Sequence, residues 1–160
     1  MLAELRKADH GFIAQFERHY KHSIEEVWAY LTENEKLNQW FPELEVEELR
    51  QGGLIKFNMP DGTHLDMTIL DMKPLSVLEY TWGEDRVRFE LAAEPGGCFL
   101  YLKETIQAVT PHTPKDLAGW HVCLDVIAAL LKGTVMDRKR EWELKYNEYV
   151  KAIELLSASR

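Results

Sequence analysis

An α+β domain, an antiparallel β-meander with one apolar face covered by helices, is what this 160-residue sequence predicts. Three observations carry that reading. Between residues 43 and 104, short runs alternate apolar and polar residues, as half-buried strands do. Asp61-Gly62 and Pro95-Gly96-Gly97 supply turns tight enough to join antiparallel neighbours. On either side of the meander the period lengthens to that of a helix.

The elements follow in order. Residues 1–10 are polar and expected to be loosely ordered, which leaves 11–160 as a single domain. FIAQFERHY (12–20) places Phe12, Phe16 and Tyr20 on one face of a strand. Ser23 stands three residues before Glu26 and ahead of Val27, Trp28 and Leu31, the spacing of a capping box at a helix start. Thr32 and Glu35 repeat it, predicting a second short helix with Leu37, Trp40 and Phe41. In the meander, Leu44 and Val46 alternate with glutamates; Ile55, Phe57 and Met59 follow Gly52-Gly53. Leu65, Met67 and Ile69 come next, then Leu78, Tyr80 and Trp82, then Val87, Phe89 and Leu91, and lastly Leu100 and Leu102. Thr113-Pro114 reads as an N-cap and first-turn proline, opening a helix that breaks near Gly133. A further helix runs from about Asp137, with Trp142, Tyr146, Tyr149, Ile153 and Leu156 at helical spacing.

Composition narrows the function classes. A formal charge of −8 argues against a nucleic-acid backbone or an anionic membrane as partner. The N-terminus lacks the apolar run of a signal peptide, no stretch reaches the length of a membrane span, and the expected location is the cytoplasm. Cys98 and Cys123 form no zinc spacing and no disulfide framework; they read as small buried hydrophobes. No GxSxG, phosphate-loop or dinucleotide-binding glycine pattern occurs, and no cofactor is implied.

The segment AGWHVCLDVIAALLKG (118–133) concentrates the residues most suggestive of chemistry. At roughly 100° per residue, Cys123, Leu124, Ile127, Leu130 and Leu131 gather around the direction of Trp120. His121, Asp125 and Lys132 fall on a separate stripe about 40° wide by the same arithmetic. Cys123 therefore points away from His121, and His121 with Asp125 reads as an exposed surface pair. Replacing His121 by Ala is accordingly expected to change stability by less than about 0.5 kcal/mol. Glu104 breaks pattern by continuing the inward parity of Leu100 and Leu102. It reads either as a carboxylate on the concave face or as a solvated strand end.

FERHYKHSIEEVWAYLTENEKLNQWF, the acidic strand, Gly52-Gly53, EYTWG (79–83) and AGWHVCLDVIAALLKG together resemble the activator of Hsp90 ATPase homologue-like family, a branch of the START/Bet v 1-like (SRPBCC) superfamily. The likeness runs from about Gly11 to the C-terminus. It implies a helix-grip fold: a curved antiparallel sheet wrapped around a long C-terminal helix, with two short helices after the first strand. It also implies an apolar cavity between sheet and helix that holds a lipid, polyketide or other hydrophobic molecule. Family members include binding proteins, resistance proteins, cyclases and hydrolases. Eukaryotic relatives stimulate the Hsp90 chaperone through an additional N-terminal domain, for which the 160 residues are expected to have no room. The strand CFLYLKE (98–104) is bulkier than the Thr-rich strand of relatives, which implies a reduced cavity.

The expected function is non-enzymatic binding of a small hydrophobic molecule. The alternatives are a protein-interaction module of the chaperone-cofactor or stress-response type, suggested also by ELEVEELR (43–50), and an enzyme using Glu104 or His121 as acid–base. Inward parity assigns Phe57, Met59, Met67, Ile69, Tyr80, Trp82, Phe89, Leu100 and Leu102 to the binding face. Trp120, Leu124 and Ile127 are expected to close it, Trp40 and Phe41 to stand near its mouth, and Glu104 to orient a ligand. No catalytic or metal-binding set is assigned.

Overall fold

A computed structural model describes residues 1–158. Eight strands and four helices follow one another as β1 (Glu4–Lys7), β2 (Phe12–Tyr20), α1 (Ile24–Thr32), α2 (Asn34–Trp40), β3 (Leu44–Glu48), β4 (Leu54–Asn58), β5 (His64–Lys73), β6 (Val77–Trp82), β7 (Asp85–Glu94), β8 (Gly97–Ile106), α3 (Thr113–Lys132) and α4 (Arg138–Ala158). The strands form a single antiparallel sheet in the order β1-β2-β8-β7-β6-β5-β4-β3. The class is α+β, as the alternation and the flanking helical periods require. The chain divides into two compact units, Glu17–Leu102 on one hand and Met1–Phe16 with Lys103–Arg160 on the other.

In the unit Glu17–Leu102, Ser23 caps α1: its Oγ accepts the Glu26 N–H at 3.2 Å. The reciprocal half of the expected capping box is absent, because the Glu26 carboxylate instead meets Nδ1 of His22 at 3.1 Å. Thr32 does not cap α2. It is the last residue of α1, its hydroxyl donates to the Trp28 carbonyl at 2.9 Å, and Glu33 occupies the cap position without a side-chain bond. α2 then delivers Leu37 and Trp40 to the interior. The Trp40 indole N–H donates to the Tyr30 carbonyl at 2.7 Å, tying the two short helices together.

The meander keeps the expected parity. Ile55 lies opposite Met67, Ile69 opposite Tyr80, Tyr80 opposite Val87, and Leu78 opposite Phe89. All seven are buried. Leu65, expected on the same face, is 54% exposed, as it lies near the start of β5 opposite Phe57. The β4–β5 turn uses Asp61 as expected: its carboxylate accepts the Thr63 hydroxyl at 2.6 Å and the Thr63 N–H at 2.9 Å, and these two bonds, the hydroxyl's first, hold its pKa down. Gly62 takes φ of 88° there, a conformation that glycine alone adopts cheaply.

β3 is the last strand of the sheet, and its outer main chain is met by a side chain. Asn34, at the start of α2, donates from Nδ2 to the Val46 carbonyl at 3.0 Å and accepts the Val46 N–H on Oδ1 at 2.7 Å. The amide thus completes both main-chain bonds of one residue, as a further strand would.

On the opposite face of β5, β6 and β7, register aligns Asp71, Glu79 and Arg88 in a row. The Arg88 guanidinium donates to Asp71 at 3.0 Å, to Glu79 at 3.2 Å and to Glu90. These carboxylates hold its pKa above the ordinary arginine value, with Glu90 the largest contributor. Arg88→Met is expected to lower stability by about 1–2 kcal/mol, since it removes three charge-assisted bonds and leaves three carboxylates together. Urea titration checks this, and the loss should shrink when salt screens the remaining charges.

In the other unit, residues 4–7 lie within the stretch expected to be loosely ordered, yet they form β1, paired in register from Glu4 with Gln15 to Lys7 with Phe12. α3 starts at Thr113, with Pro114 in its first turn and His112 as the cap residue. Thr113 is therefore a first-turn residue and not the N-cap, and its Oγ accepts the Thr110 N–H at 2.9 Å. The helix ends as expected at Gly133, left-handed at φ 74°. α4 returns along α3 and buries Tyr149 and Ile153; Trp142 and Tyr146 stack on each other at 5.3 Å on its half-buried side.

Candidate functional site

Within Glu17–Leu102, the residues assigned from parity separate into two kinds. Trp40, Met67, Ile69, Tyr80, Phe89, Leu100 and Leu102 are buried and fill the interior. Phe41, Phe57, Met59 and Trp82 are only half-buried. Three of these four meet as a corner. Phe41, which caps the C-terminus of α2, lies edge-on to Phe57 of β4 at 5.8 Å and to Trp82 of β6 at 5.7 Å. Phe57 and Trp82 close the triangle at 5.9 Å. Tyr80 abuts Trp82 at 6.4 Å and stacks on Phe89 at 6.3 Å, while Trp40 backs Phe41 at 6.0 Å.

Edge-to-face pairs of this kind contribute about 0.5–1.5 kcal/mol each beyond burial. The corner therefore has a fixed shape while keeping ring surface accessible. Of the three rings only Trp82 carries a polar group, its indole N–H, and the neighbouring Tyr80 has a hydroxyl. Elsewhere in this unit, burial pushes the interior thiol Cys98 of β8 up to about 11, so it remains a neutral thiol at physiological pH.

Glu45 and Glu47 of the acidic strand are engaged by β4: the Lys56 ammonium meets Glu47 at 2.8 Å, and Asn58 donates to Glu45 at 3.2 Å. The Glu47 contact is the main cause of a raised Lys56 pKa.

The other unit holds the remaining assigned residues. Trp120, Leu124 and Ile127 are buried, at 2%, 0% and 0% exposure. Glu104 is buried too, at 0%, and belongs to the strictly alternating buried row Cys98, Leu100, Leu102, Glu104 and Ile106 of β8. The solvated-strand-end reading of Glu104 is thereby excluded.

His121 is the larger correction. It is 1% exposed, not on the surface, and Tyr149 of α4 is the reason. The Tyr149 hydroxyl sits 2.7 Å from His121 Nδ1 and accepts the Ala3 N–H at 2.9 Å. Phe16 of β2 packs a ring against both. Asp125, whose side chain is 34% exposed, stands 3.4 Å from His121 Nε2. Sequence spacing gave the His121–Asp125 pair but not Tyr149, 28 residues away, because the two are brought together only by the antiparallel return of α4. Among the described residues no group of His, Cys, Asp and Glu could hold a metal ion, and no helix is long and apolar enough to cross a membrane.

Known proteins place this geometry. A conserved protein of unknown function from Enterococcus faecalis is 29% identical, with 96% of this chain and 91% of that chain covered at a TM-score of 0.87. CalU16 from Micromonospora echinospora is 20% identical over 93% of this chain and 94% of its own, with a TM-score of 0.72. A protein from Bordetella parapertussis is 24% identical over 92% and 90%, at 0.71. These likenesses assign the fold to the helix-grip class expected from the sequence. A comparison with curated proteins gives no match. The model of the family described as Activator of Hsp90 ATPase homolog 1-like protein matches residues 21–132. The chain belongs to that family, within the START/Bet v 1-like (SRPBCC) superfamily.

Proposed function

We propose that the protein binds a small, largely apolar molecule without transforming it, and that the half-buried corner of Phe41, Phe57 and Trp82 is where the molecule makes contact. The observation that carries this reading is the corner itself: three large rings fixed edge-to-face yet left partly open, beside the buried Trp40, Tyr80 and Phe89. A ring-bearing ligand gains stacking area there without ordering new side chains. Tyr80 and the Trp82 indole supply the few polar contacts that would orient it.

Titration with fatty acids, flavonoids and polyketides, followed by tryptophan fluorescence, tests the proposal. A responding ligand should lose most of its signal in Trp82→Phe and keep it in Trp142→Phe. Phe57→Ala should weaken binding about tenfold, the equivalent of about 1.4 kcal/mol. Absence of a saturable response with every class would defeat it.

The family match supports a second reading, a protein-interaction module acting on an Hsp90-type chaperone. A change in that chaperone's ATPase rate on adding the protein, with no small-molecule response, would favour it. An enzymatic role finds less support. His121 is engaged at both ring nitrogens and is buried, so it is poorly placed to exchange protons with a substrate.

A further inference from the structure

The turn that joins α3 to α4 is short and held at both ends. At the end of α3, the Gly133 N–H donates to the Leu130 carbonyl at 3.2 Å and the Thr134 N–H to the Ala129 carbonyl at 2.9 Å. At the start of α4, Asp137 acts as the cap: its Oδ1 accepts the Arg140 N–H at 3.1 Å and its carbonyl the Glu141 N–H at 3.1 Å. Only Val135 and Met136 lie between these two bonded ends. Val135 is 98% exposed, so it stands at the apex of the helical hairpin with its side chain in water. A single exposed apolar residue is ordinary on a protein surface. The company this one keeps is not.

The overall charge of −8 is unevenly spread. Residues 132–140 hold Lys132, Arg138, Lys139 and Arg140 against a single carboxylate, the Asp137 that caps α4. All four cations are exposed, although Arg138 also reaches the Cys123 Sγ at 3.8 Å. Arg138, Lys139 and Arg140 are consecutive, so at about 100° per residue they leave α4 in three directions. They ring the start of the helix and do not form a row. A groove or a linear polyanion would meet such side chains one at a time. A flat anionic surface met end-on engages them together, because long basic side chains bend toward it along their apolar stems.

We propose that the α3–α4 turn is a docking tip for an anionic lipid surface, with Val135 entering the headgroup boundary while Lys132, Lys139 and Arg140 engage the phosphates around it. Apolar insertion and charge attraction are each weak alone and reinforce one another when they act at one place. The rest of the chain is net negative, so the same surface repels it and favours approach by the tip. Glu141 and Glu143 follow in the next turn of α4 and limit the depth of entry. Contact is therefore shallow and reversible. It requires nothing of the corner formed by Phe41, Phe57 and Trp82.

Sedimentation of the full chain with phosphatidylcholine vesicles, with and without about 30% phosphatidylserine, at about 0.1 M salt tests this docking. Phosphatidylserine is expected to raise the partition coefficient at least about fivefold, and about 0.5 M salt to abolish the gain. Val135→Asp should lower partition to the anionic vesicles at least about fivefold, as should the combined Lys132→Gln, Lys139→Gln and Arg140→Gln variant. Leu144→Asp makes the same charge change at a 49% exposed site further along α4, and should alter partition less than about twofold. With a spin-labelled lipid in anionic nanodiscs, NMR broadening should centre on residues 132–140. Equal partition with and without phosphatidylserine, or none in either case, overturns the proposal. So does broadening centred elsewhere, or an unchanged partition in Val135→Asp, a surface substitution that the fold tolerates. Retention on heparin or duplex DNA as strong as on the vesicles, and undiminished in Val135→Asp, would mean a polyanion site and overturns it as well.

Discussion

Trp120→Ala is expected to lower the stability of the folded chain by about 3–5 kcal/mol, the cost of removing a large ring from a close-packed interior. The ring is 2% exposed and belongs to a stretch of α3, from Leu117 to Ile127, that is buried at all but two positions, Gly119 and Asp125. His121→Ala follows at about 2 kcal/mol, because it removes the ring that shares a buried hydrogen bond with the Tyr149 hydroxyl. Leu144→Ala, at a site 49% exposed on α4, should change stability by no more than about 0.5 kcal/mol. Chemical denaturation of the three variants checks the ordering. A His121 variant indistinguishable from Leu144→Ala would show that the His121–Tyr149 bond carries no weight.

Gly97→Ala should be nearly as damaging, at about 3 kcal/mol, for a different reason. A Cβ at residue 97 would lie 2.0 Å from the Tyr20 carbonyl oxygen, and only main-chain movement could relieve that. β2 and β8 are neighbours in the sheet, so the pair would have to part at this point. The adjacent Gly96 provides the control. It has φ of 79° and nothing within 4 Å of an added Cβ, so its replacement by Ala incurs only the conformational penalty, about 1 kcal/mol. Thermal unfolding should therefore rank Gly97→Ala well below Gly96→Ala. Equal midpoints would mean that the sheet gives way at this point without resistance.

Much of the fold could be read from local pattern. The bounds of β2, the Ser23 cap, the Asp61-Gly62 turn and the end of α3 at Gly133 each depend on residues within a few positions of one another. Helix starts were less legible. Thr32 and Thr113 have the right chemistry for caps, but each hydroxyl bonds elsewhere, to the Trp28 carbonyl and the Thr110 N–H. The inward parity of the strands carried through to Glu104, since a strand's two-residue period is robust to what covers it. A helical wheel is not. It divides α3 into one inner and one outer face, whereas α4 covers part of the supposed outer one and takes His121 inside. Among the inward-facing residues, sequence could not distinguish fully buried rings from the half-buried corner. Phe41, Phe57 and Trp82 meet only because α2 places Phe41 beside β4 and β6.

The bond pair that Asn34 makes with Val46 bears on how the protein behaves at high concentration. A terminal strand with vacant N–H and C=O groups is a template on which another molecule can add its own strand, the first step toward fibres and insoluble aggregates. β3 is short and rich in glutamate, so like-charged copies repel, but charge repulsion fades as salt rises. The Asn34 amide does not depend on salt. It occupies the templating groups of the central residue of β3 with a side chain that cannot itself be extended by a further strand. Loss of this amide in Asn34→Ala should therefore show most clearly as turbidity or light scattering in concentrated, high-salt solution. The same variant at low concentration should lose only about 1–2 kcal/mol of stability. Colloidal behaviour and fold stability are set at this position by the same two bonds, but they respond to different conditions.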